Sequence, residues 1–242
     1  MITKMLCAKP VVTISGQTGT GKTTLLNNLA ARFPNAKILH TGDICRYMGL
    51  TLAEMGQNVS DADPGIIKFI IRDANFYSEF SNAAASGRLR AEGVAQLATL
   101  FMTDPKSMWA VRFSIVQYFL TPVPGKDFTI ADTHNETSFY WPFVWLPITL
   151  TAPQKVRYGR KHPSTPKELR FRDETDAMKS AHHPRARHID THEFNIAQTA
   201  DIAGAMIMNR LSPMISFSGT VEILDQTRYL NNLIKQSNHK II

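Results

Sequence analysis

The chain has little cysteine and no long apolar run. Its two cysteines, Cys7 and Cys45, are too few for a disulfide framework or a cysteine-ligated zinc site. The charge of Arg46, which follows Cys45, could lower the pKa of that thiol, although nothing in the sequence requires a reactive thiol. No stretch approaches the roughly 20 apolar residues of a transmembrane helix, and the N-terminus lacks the hydrophobic core of a signal peptide. We therefore expect a cytoplasmic protein without a membrane partner.

Segments that favour strands alternate along the chain with segments that favour helices. Short apolar or β-branched segments predict five strands, at 11–15, 36–40, 128–132, 147–151 and 187–190. Helical patterns cover 25–33, most of 50–126 (above all Pro105 to Leu120), 196–210 and a segment near 226–236. With 43% hydrophobic and 19% charged residues, this alternation predicts a three-layer α/β fold with a parallel sheet.

One glycine-rich segment matches a phosphate-binding motif in full. Residues 16–23 read G-x-x-x-x-G-K-[ST], with a predicted strand before them and a predicted helix after them, as in a P-loop NTPase. The glycines let backbone N–H groups surround phosphates, and Lys22 brings a positive charge to the β- and γ-phosphates. The residues expected to bind ATP are Gly16, Thr18, Gly19, Thr20, Gly21, Lys22, Thr23 and Thr24.

An acidic residue ends the predicted strand at 128–132. Asp132 is placed to hold Mg²⁺, directly or through water, together with the Thr23 hydroxyl. A carboxylate at this position is otherwise a helix N-cap. The loop and this acid predict ATP and Mg²⁺ as the bound groups.

Positive charge is concentrated in the segment 155–188. The chain has a formal net charge of +7, and this segment alone carries +6. Such a field fits an anionic partner, either nucleotide phosphates or a nucleic acid, and a solvated surface face is the alternative. Its arginines suit the stabilisation of charge during phosphoryl transfer.

Further motifs, from about Val11 to Arg210, make the sequence similar to the cytidylate kinase-type nucleoside monophosphate kinases. The matching segments are H-T-G-D-I-C-R at 40–46, Val111-Arg112, I-A-D-T-H-N at 130–135, Thr151-Ala152 with Arg157 and Arg160, and R-D-E-T-D-A-M-K at 172–179. The resemblance implies an ATP-dependent phosphotransferase whose kinase domain spans 1–210. Residues 51–126 would form a helical acceptor-binding insertion, 155–188 a basic lid and 211–242 a C-terminal extension.

The resemblance also implies a role for individual residues. Arg46, Arg112 and Arg172 would bind the phosphate of the acceptor, and Asp176 would contact its sugar. Arg157 and Arg160 would lie under the lid near the ATP phosphates and act in catalysis, together with Lys22 and Asp132.

The acceptor side of this pattern departs from the family, whereas the ATP side does not. The family's G-R-D is Thr133-His134-Asn135 here, the acid before Thr-Gly is His40, and the last arginine of the lid motif is Lys179. Loss of bidentate arginines and of acids weakens recognition of free cytidine monophosphate. We therefore expect a changed acceptor and an unchanged chemistry.

Two features favour an acceptor within a nucleic acid. The chain is strongly basic, with a pI of about 9.5. Trp141, Phe143 and Trp145 recur at period two, which predicts three aromatics on one strand face, either in the core or as a stacking surface for an extruded base. In these respects the chain resembles the phage P-loop kinases that phosphorylate 5-hydroxymethyluracil in DNA.

In such a kinase the γ-phosphoryl group passes to the hydroxymethyl oxygen of the base, in the cytoplasm of the infected host. Asp43 or Asp132 would orient or deprotonate that hydroxyl. His134 is the weaker candidate for this base and is expected to bind the acceptor. Two alternatives stay open. One is a kinase of free nucleoside monophosphates such as dCMP or CMP, and the other is a non-catalytic ATP-binding DNA protein.

Overall fold

The computed structural model describes residues 9–73, 75–102, 105–133, 143–160, 170, 173 and 184–211. The chain forms two compact units. A helical unit is built mainly from 39–125, and a sheet unit is built mainly from 10–38, from 126–133 and from the residues after 143.

A five-stranded parallel sheet has its central strand immediately before the glycine-rich loop. The strands are β1 (Val11–Ser15), β2 (Ala36–His40), β3 (Phe128–Asp132), β4 (Leu146–Thr151) and β5 (Arg187–Asp190), in the spatial order β2-β3-β1-β4-β5. Strand β1 is parallel to β3 on one side and to β4 on the other, so that Val12 pairs with Ile130 and with Leu146. Every residue of β1 is buried, which explains its continuous apolar and β-branched sequence.

Eight α-helices accompany the sheet in the described part of the chain. They are α1 (Lys22–Arg32), α2 (Thr41–Glu54), α3 (Pro64–Arg72), α4 (Phe76–Ala85), α5 (Val94–Phe101), α6 (Pro105–Leu120), α7 (Gln154–Gly159) and α8 (Ile196–Leu211). Short 3₁₀ helices lie at Val59–Asp61 and Arg88–Arg90. None of the helices in the described ranges is long and apolar enough to cross a membrane.

The core of the sheet unit lies between the strands and helices α1 and α8. Leu25, Leu26 and Leu29 of α1 fall on one helical face and are buried with the inward residues of β1, β3 and β4. Helix α8 contributes small and branched residues, among them Ala203 and Ile207, to the same cluster. This packing fixes the start of α1, and with it the end of the loop that precedes α1.

The helical unit has its own core, centred on α2. A Cβ on Gly49 would lie 2.9 Å from the backbone of Leu97, so α2 and α5 approach closely only because residue 49 is glycine. The ring of Tyr47 meets those of Phe76 and Phe80 edge to face, at centroid distances of 5.4 and 5.9 Å.

The predicted fold class, an α/β fold with a parallel sheet, is confirmed, and all five strands lie where the sequence predicts them. Strand β4 begins one residue earlier than predicted. The prediction that Trp141, Phe143 and Trp145 lie on one face of a strand is wrong for Phe143 and Trp145, because both residues precede β4. Trp145 packs against the core with the guanidinium of Arg210 5.2 Å above its ring, so core packing accounts for this residue. Trp141 and the segments 161–169 and 212–242 lie outside the described residues.

Candidate active site

The glycine-rich loop lies at the carboxyl edge of the sheet, beside Asp132. The loop starts at Gly16, directly after β1, and Ile14 of β1 is in register with Asp132 at the end of β3. The backbone N–H of Thr133 continues this ladder by donating to Ile14 O at 2.9 Å. Because parallel strands present their carboxyl ends at one edge, the acid and the loop share that edge, where α/β proteins bind ligands.

Two loop glycines are required by steric contact as well as by backbone conformation. Gly16 and Gly19 have φ values of 142° and 83°. A Cβ on Gly16 would lie 2.5 Å from the carbonyl oxygen of Leu150, and one on Gly19 would lie 2.9 Å from that of Arg157. The loop is therefore held against β4 and α7 at distances that only glycine allows.

Side chains from outside the loop hold three consecutive loop carbonyls. Arg157 Nη1 donates to Thr18 O at 3.0 Å, Arg160 Nη1 to Gly19 O at 2.9 Å and Thr191 Oγ1 to Thr20 O at 3.0 Å. In a trans peptide the N–H of the next residue points the opposite way, so the N–H groups of residues 19–21 face away from these three side chains. The Thr20 amide donates to Gln17 O at 3.3 Å within the loop. Backbone N–H groups that share one side of a glycine-rich turn can form an anion-binding concavity.

The start of helix α1 adds further positive charge to the loop. Its N-cap, Gly21, has no side-chain cap, and its first turn contains no acidic residue. Lys22 is buried, and its Nζ donates to Gly16 O at 2.6 Å and to Gln17 O at 3.1 Å, which holds the ammonium group over the loop. Thr23 and Thr24 are exposed at this helix start. A helix N-terminus that has no acidic residue in its own first turn and no side-chain cap fits a polyphosphate.

The residues predicted to hold Mg²⁺ offer the donor atoms that this ion prefers. Thr23 supplies a hydroxyl on the first turn of α1, and Asp132 supplies a buried carboxylate. Two further buried hydroxyls, Thr18 Oγ1 and Thr133 Oγ1, have no hydrogen-bond partner among the described residues. Magnesium takes oxygen ligands and retains several waters, so carboxylate and hydroxyl oxygens of this kind fit the ion and its water shell.

Arg157 and Asp173 form an ion pair beside the loop, which the sequence analysis missed. Arg157 is 4% exposed and donates to both carboxylate oxygens of Asp173, at 2.8 and 2.7 Å. Tyr158 Oη donates to the same carboxylate at 3.0 Å. Burial opposes ionisation of Asp173, but the hydrogen bonds from Arg157 and Tyr158 and the charge of Arg157 outweigh it and lower the pKa of Asp173. The R-D pair at 172–173 is the only signal in the sequence for this contact.

The described contacts of Arg157 and Arg160 support a positioning role. Both arginines lie beside the loop, close to where the ATP phosphates were predicted. However, the guanidinium of Arg157 donates to Thr18 O and to the carboxylate of Asp173. That of Arg160 donates to Gly19 O and to Oγ1 and O of Thr191, the last two at 3.0 and 2.7 Å. These bonds fix the shape of the loop.

The predicted acceptor residues fall into two groups. Asp43 and Arg46 lie on the first turns of α2, where Arg46 Nη1 donates to Asp43 Oδ1 at 2.6 Å, and Arg112 is half-buried on α6. The prediction of a low thiol pKa at the neighbouring Cys45 is wrong, because burial outweighs the charge of Arg46 and raises the pKa of this thiol to about 12. The other predicted residues, His134, Arg172 and Asp176, lie outside the described residues.

Comparisons with known proteins give a distant structural likeness. No protein-family model and no curated protein matches the sequence. Among solved structures, TT1252 from Thermus thermophilus is 13% identical, with a TM-score of 0.45, and the match covers 84% of this chain and 98% of that one. Thymidylate kinase from Candida albicans is also 13% identical, with a TM-score of 0.46 and coverage of 84% and 92%. Function must therefore be inferred from the residues of this chain.

Proposed function

We propose that the chain is an ATP-dependent phosphotransferase that binds the triphosphate in the loop 16–23. The observation that carries this proposal is the loop geometry, in which three consecutive carbonyls are held from outside and the following amides face the other way. The loop ends in a helix N-terminus without an acidic partner from its own first turn, and Lys22 lies above it. Together these features supply N–H donors, a helix dipole and a mobile cation to one polyphosphate.

In the proposed reaction, a hydroxyl of the acceptor attacks the γ-phosphorus and the bond to the β,γ-bridging oxygen breaks, which leaves ADP. Lys22 leaves the carbonyls of Gly16 and Gln17 and follows the charge that develops on the leaving oxygens. Mg²⁺, when bound, neutralises phosphate charge, and Thr23 and Asp132 are the residues proposed to hold it. Arg157 and Arg160 keep the loop rigid, so that its amides need not reorganise during transfer.

For the acceptor, we propose the hydroxymethyl group of 5-hydroxymethyluracil within DNA. The net charge of +7 and the basic segment 155–188 support a polyanionic acceptor. The replacement of family acceptor residues at 133–135 supports a change away from free cytidine monophosphate. Asp132, at the end of β3 beside the loop, is the carboxylate we propose to orient the hydroxyl and to accept its proton as the phosphate ester forms, before releasing that proton to water.

A labelling experiment with parallel acceptor pools tests this function. The protein is incubated with γ-labelled ATP and Mg²⁺ and with one of three acceptors, namely free (d)NMPs, thymine DNA, or 5-hydroxymethyluracil DNA in single and double strands. We expect label on 5-hydroxymethyluracil DNA only, with a steep loss of activity as salt increases. The Lys22→Ala variant should lose this transfer, and the exposed Lys68→Ala serves as the matched control.

Each other pattern of labelling contradicts part of the proposal. Label on dCMP or CMP would make the chain a nucleoside monophosphate kinase and overturn the DNA acceptor. ATP binding without transfer to any pool would make it a non-catalytic ATP-binding protein. Equal activity of Lys22→Ala and the wild type would overturn the assignment of the loop.

A further inference from the structure

The helical unit contains a cluster of two arginines on one buried carboxylate. Asp43 is 5% exposed and lies in the first turn of α2. Arg90 approaches it from the 3₁₀ helix with both terminal nitrogens, Nη1 on Oδ1 and Nη2 on Oδ2, the latter at 3.0 Å. Arg46 donates to Oδ1 at 2.6 Å. Both carboxylate oxygens therefore accept hydrogen bonds from guanidinium groups, and one oxygen accepts from both arginines.

The two residues before Arg90 anchor the 3₁₀ helix that carries it. Leu89 is 2% exposed and holds the turn in the core of the helical unit. Arg88 forms an ion pair with Glu54 near the end of α2. Because the turn is fixed by Leu89, the guanidinium of Arg90 is presented at a defined position.

The two arginines remain open to solvent although their partner is buried. The side chains of Arg46 and Arg90 are 31% and 52% exposed, whereas that of Asp43 is 7% exposed. A guanidinium has five N–H donors, and Arg90 directs two nitrogens at Asp43, so donors on its exposed side can meet a ligand.

The net charge of the cluster fits one kind of phosphate. Two guanidinium groups and one carboxylate leave a single positive charge, which a phosphodiester with one negative charge would neutralise. A phosphomonoester carries about −1.5 to −2 at pH 7 and would leave a surplus of negative charge. We propose that Asp43 positions Arg46 and Arg90 as a binding site for one phosphodiester of a nucleic acid strand. This inference rests on the proposed function and names Arg90 as a specificity residue.

The same geometry argues against Asp43 as the general base, a role that the sequence left open. A base must accept a proton from the acceptor hydroxyl, but both oxygens of Asp43 already accept hydrogen bonds from arginines. Taking up a proton would remove the negative charge that holds two cations together. Asp43 therefore acts through Arg46 and Arg90.

DNA binding in the absence of ATP tests the site apart from the kinase activity. Fluorescence anisotropy of a labelled single-stranded 5-hydroxymethyluracil oligonucleotide is measured from low to high NaCl for the wild type, Arg90→Ala and Arg88→Ala. Arg88 is the control because it lies on the same turn, is exposed and pairs with a different acid. We expect Arg90→Ala to weaken binding about tenfold and to lower the salt slope by about 0.7, the value for one single-strand phosphate contact. Arg88→Ala should stay within about twofold of the wild type.

A second variant separates positioning by Asp43 from proton transfer. We expect Asp43→Asn to raise the KM for DNA and to keep kcat and its pH profile, whereas loss of a general base typically costs about 10²–10⁴-fold in rate. A thermal melt shows whether this variant is folded, and Arg90→Ala tests the site without removing the buried acid.

The possible results distinguish this inference from the proposed function. Weaker DNA binding by Arg90→Ala supports the phosphodiester site even if the wild type transfers no phosphate. If the wild type phosphorylates DNA but Arg90→Ala and Arg88→Ala bind it equally well, the inference falls and the function stands. If Arg90→Ala raises the KM for dCMP but leaves DNA binding unchanged, the cluster is a phosphomonoester site and the inference is overturned.

Discussion

A methyl group added at Gly19 tests the close contact between the loop and α7. Gly19 has a φ of 83°, and the Cβ of alanine would lie 2.9 Å from Arg157 O and 3.1 Å from Arg157 Cβ. Gly125→Ala is the matched control, because its φ is 73° and nothing lies within 4 Å of the added Cβ. The two variants share the backbone strain and differ in the steric contact.

The expected magnitudes follow from these two contributions. An L-residue in the left-handed region costs about 1–2 kcal/mol, so Gly125→Ala should lower the free energy of unfolding by that amount. Gly19→Ala adds an overpacking cost of about 1–3 kcal/mol, since α7 must move by several tenths of an ångström. That movement disturbs the bond from Arg157 to Thr18 O, so we expect the Kd for MgATP to rise at least about tenfold, or ~1.4 kcal/mol.

Denaturant unfolding and calorimetric titration with MgATP measure the two quantities separately. Gly125→Ala should bind MgATP like the wild type, and Gly19→Ala should bind it more weakly at a temperature where both are folded. Equal MgATP affinity for the three proteins would refute the argument that the contact with α7 shapes the phosphate site.

Three further predictions concern groups outside the acceptor site. Arg157 helps to lower the pKa of Asp173, so the stabilisation from this pair is complete above about pH 4 and is lost as the pH falls further. Asp173→Asn should remove this part of the pH dependence of Tm between about pH 2 and 5. An unchanged pH dependence of Tm in this variant would contradict the role of the pair. Burial raises the pKa of the partly exposed Cys45 to about 12, so in a Cys7→Ser background a thiol reagent at pH 8 should react far more slowly with the native than with the unfolded protein, and equal rates would contradict the raised pKa. Leu29 is fully buried, so Leu29→Ala should lower the free energy of unfolding, measured with denaturant, by about 2–5 kcal/mol. The control Asn27→Ala, at an exposed residue, should lower it by about 0.5 kcal/mol or less. Similar losses for both variants would contradict the core packing.

The sequence predicts those parts of the fold that depend on local chemistry. The buried strand Val11–Ser15 is recognisable because both of its faces are covered, so its residues are nearly all apolar or β-branched. The loop is recognisable because two of its glycines with positive φ, Gly16 and Gly21, stand at a fixed spacing before Lys22. The predicted α/β class follows from these local patterns.

Contacts between distant residues leave little trace in a single sequence. Asp43 and Arg90 are 47 residues apart, and the second arginine of the cluster lies where the family resemblance is weakest. Arg157 and Asp173 are 16 residues apart, and the bonds from Arg157 and Arg160 to the loop carbonyls span about 140 positions of the chain. Trp145 is a case in which a local pattern misleads. The period of two predicts a strand face, but the residue precedes strand β4 and packs on the core.

The central claim is that the loop 16–23 transfers the γ-phosphoryl group of ATP to an acceptor. A single-turnover experiment with γ-labelled ATP, Mg²⁺ and 5-hydroxymethyluracil DNA tests it most directly, with the wild type, Lys22→Ala and the control Lys68→Ala compared. We expect labelled DNA and one equivalent of ADP with the wild type and the control, and loss of both with Lys22→Ala. Labelled DNA from Lys22→Ala at the wild-type rate would contradict it.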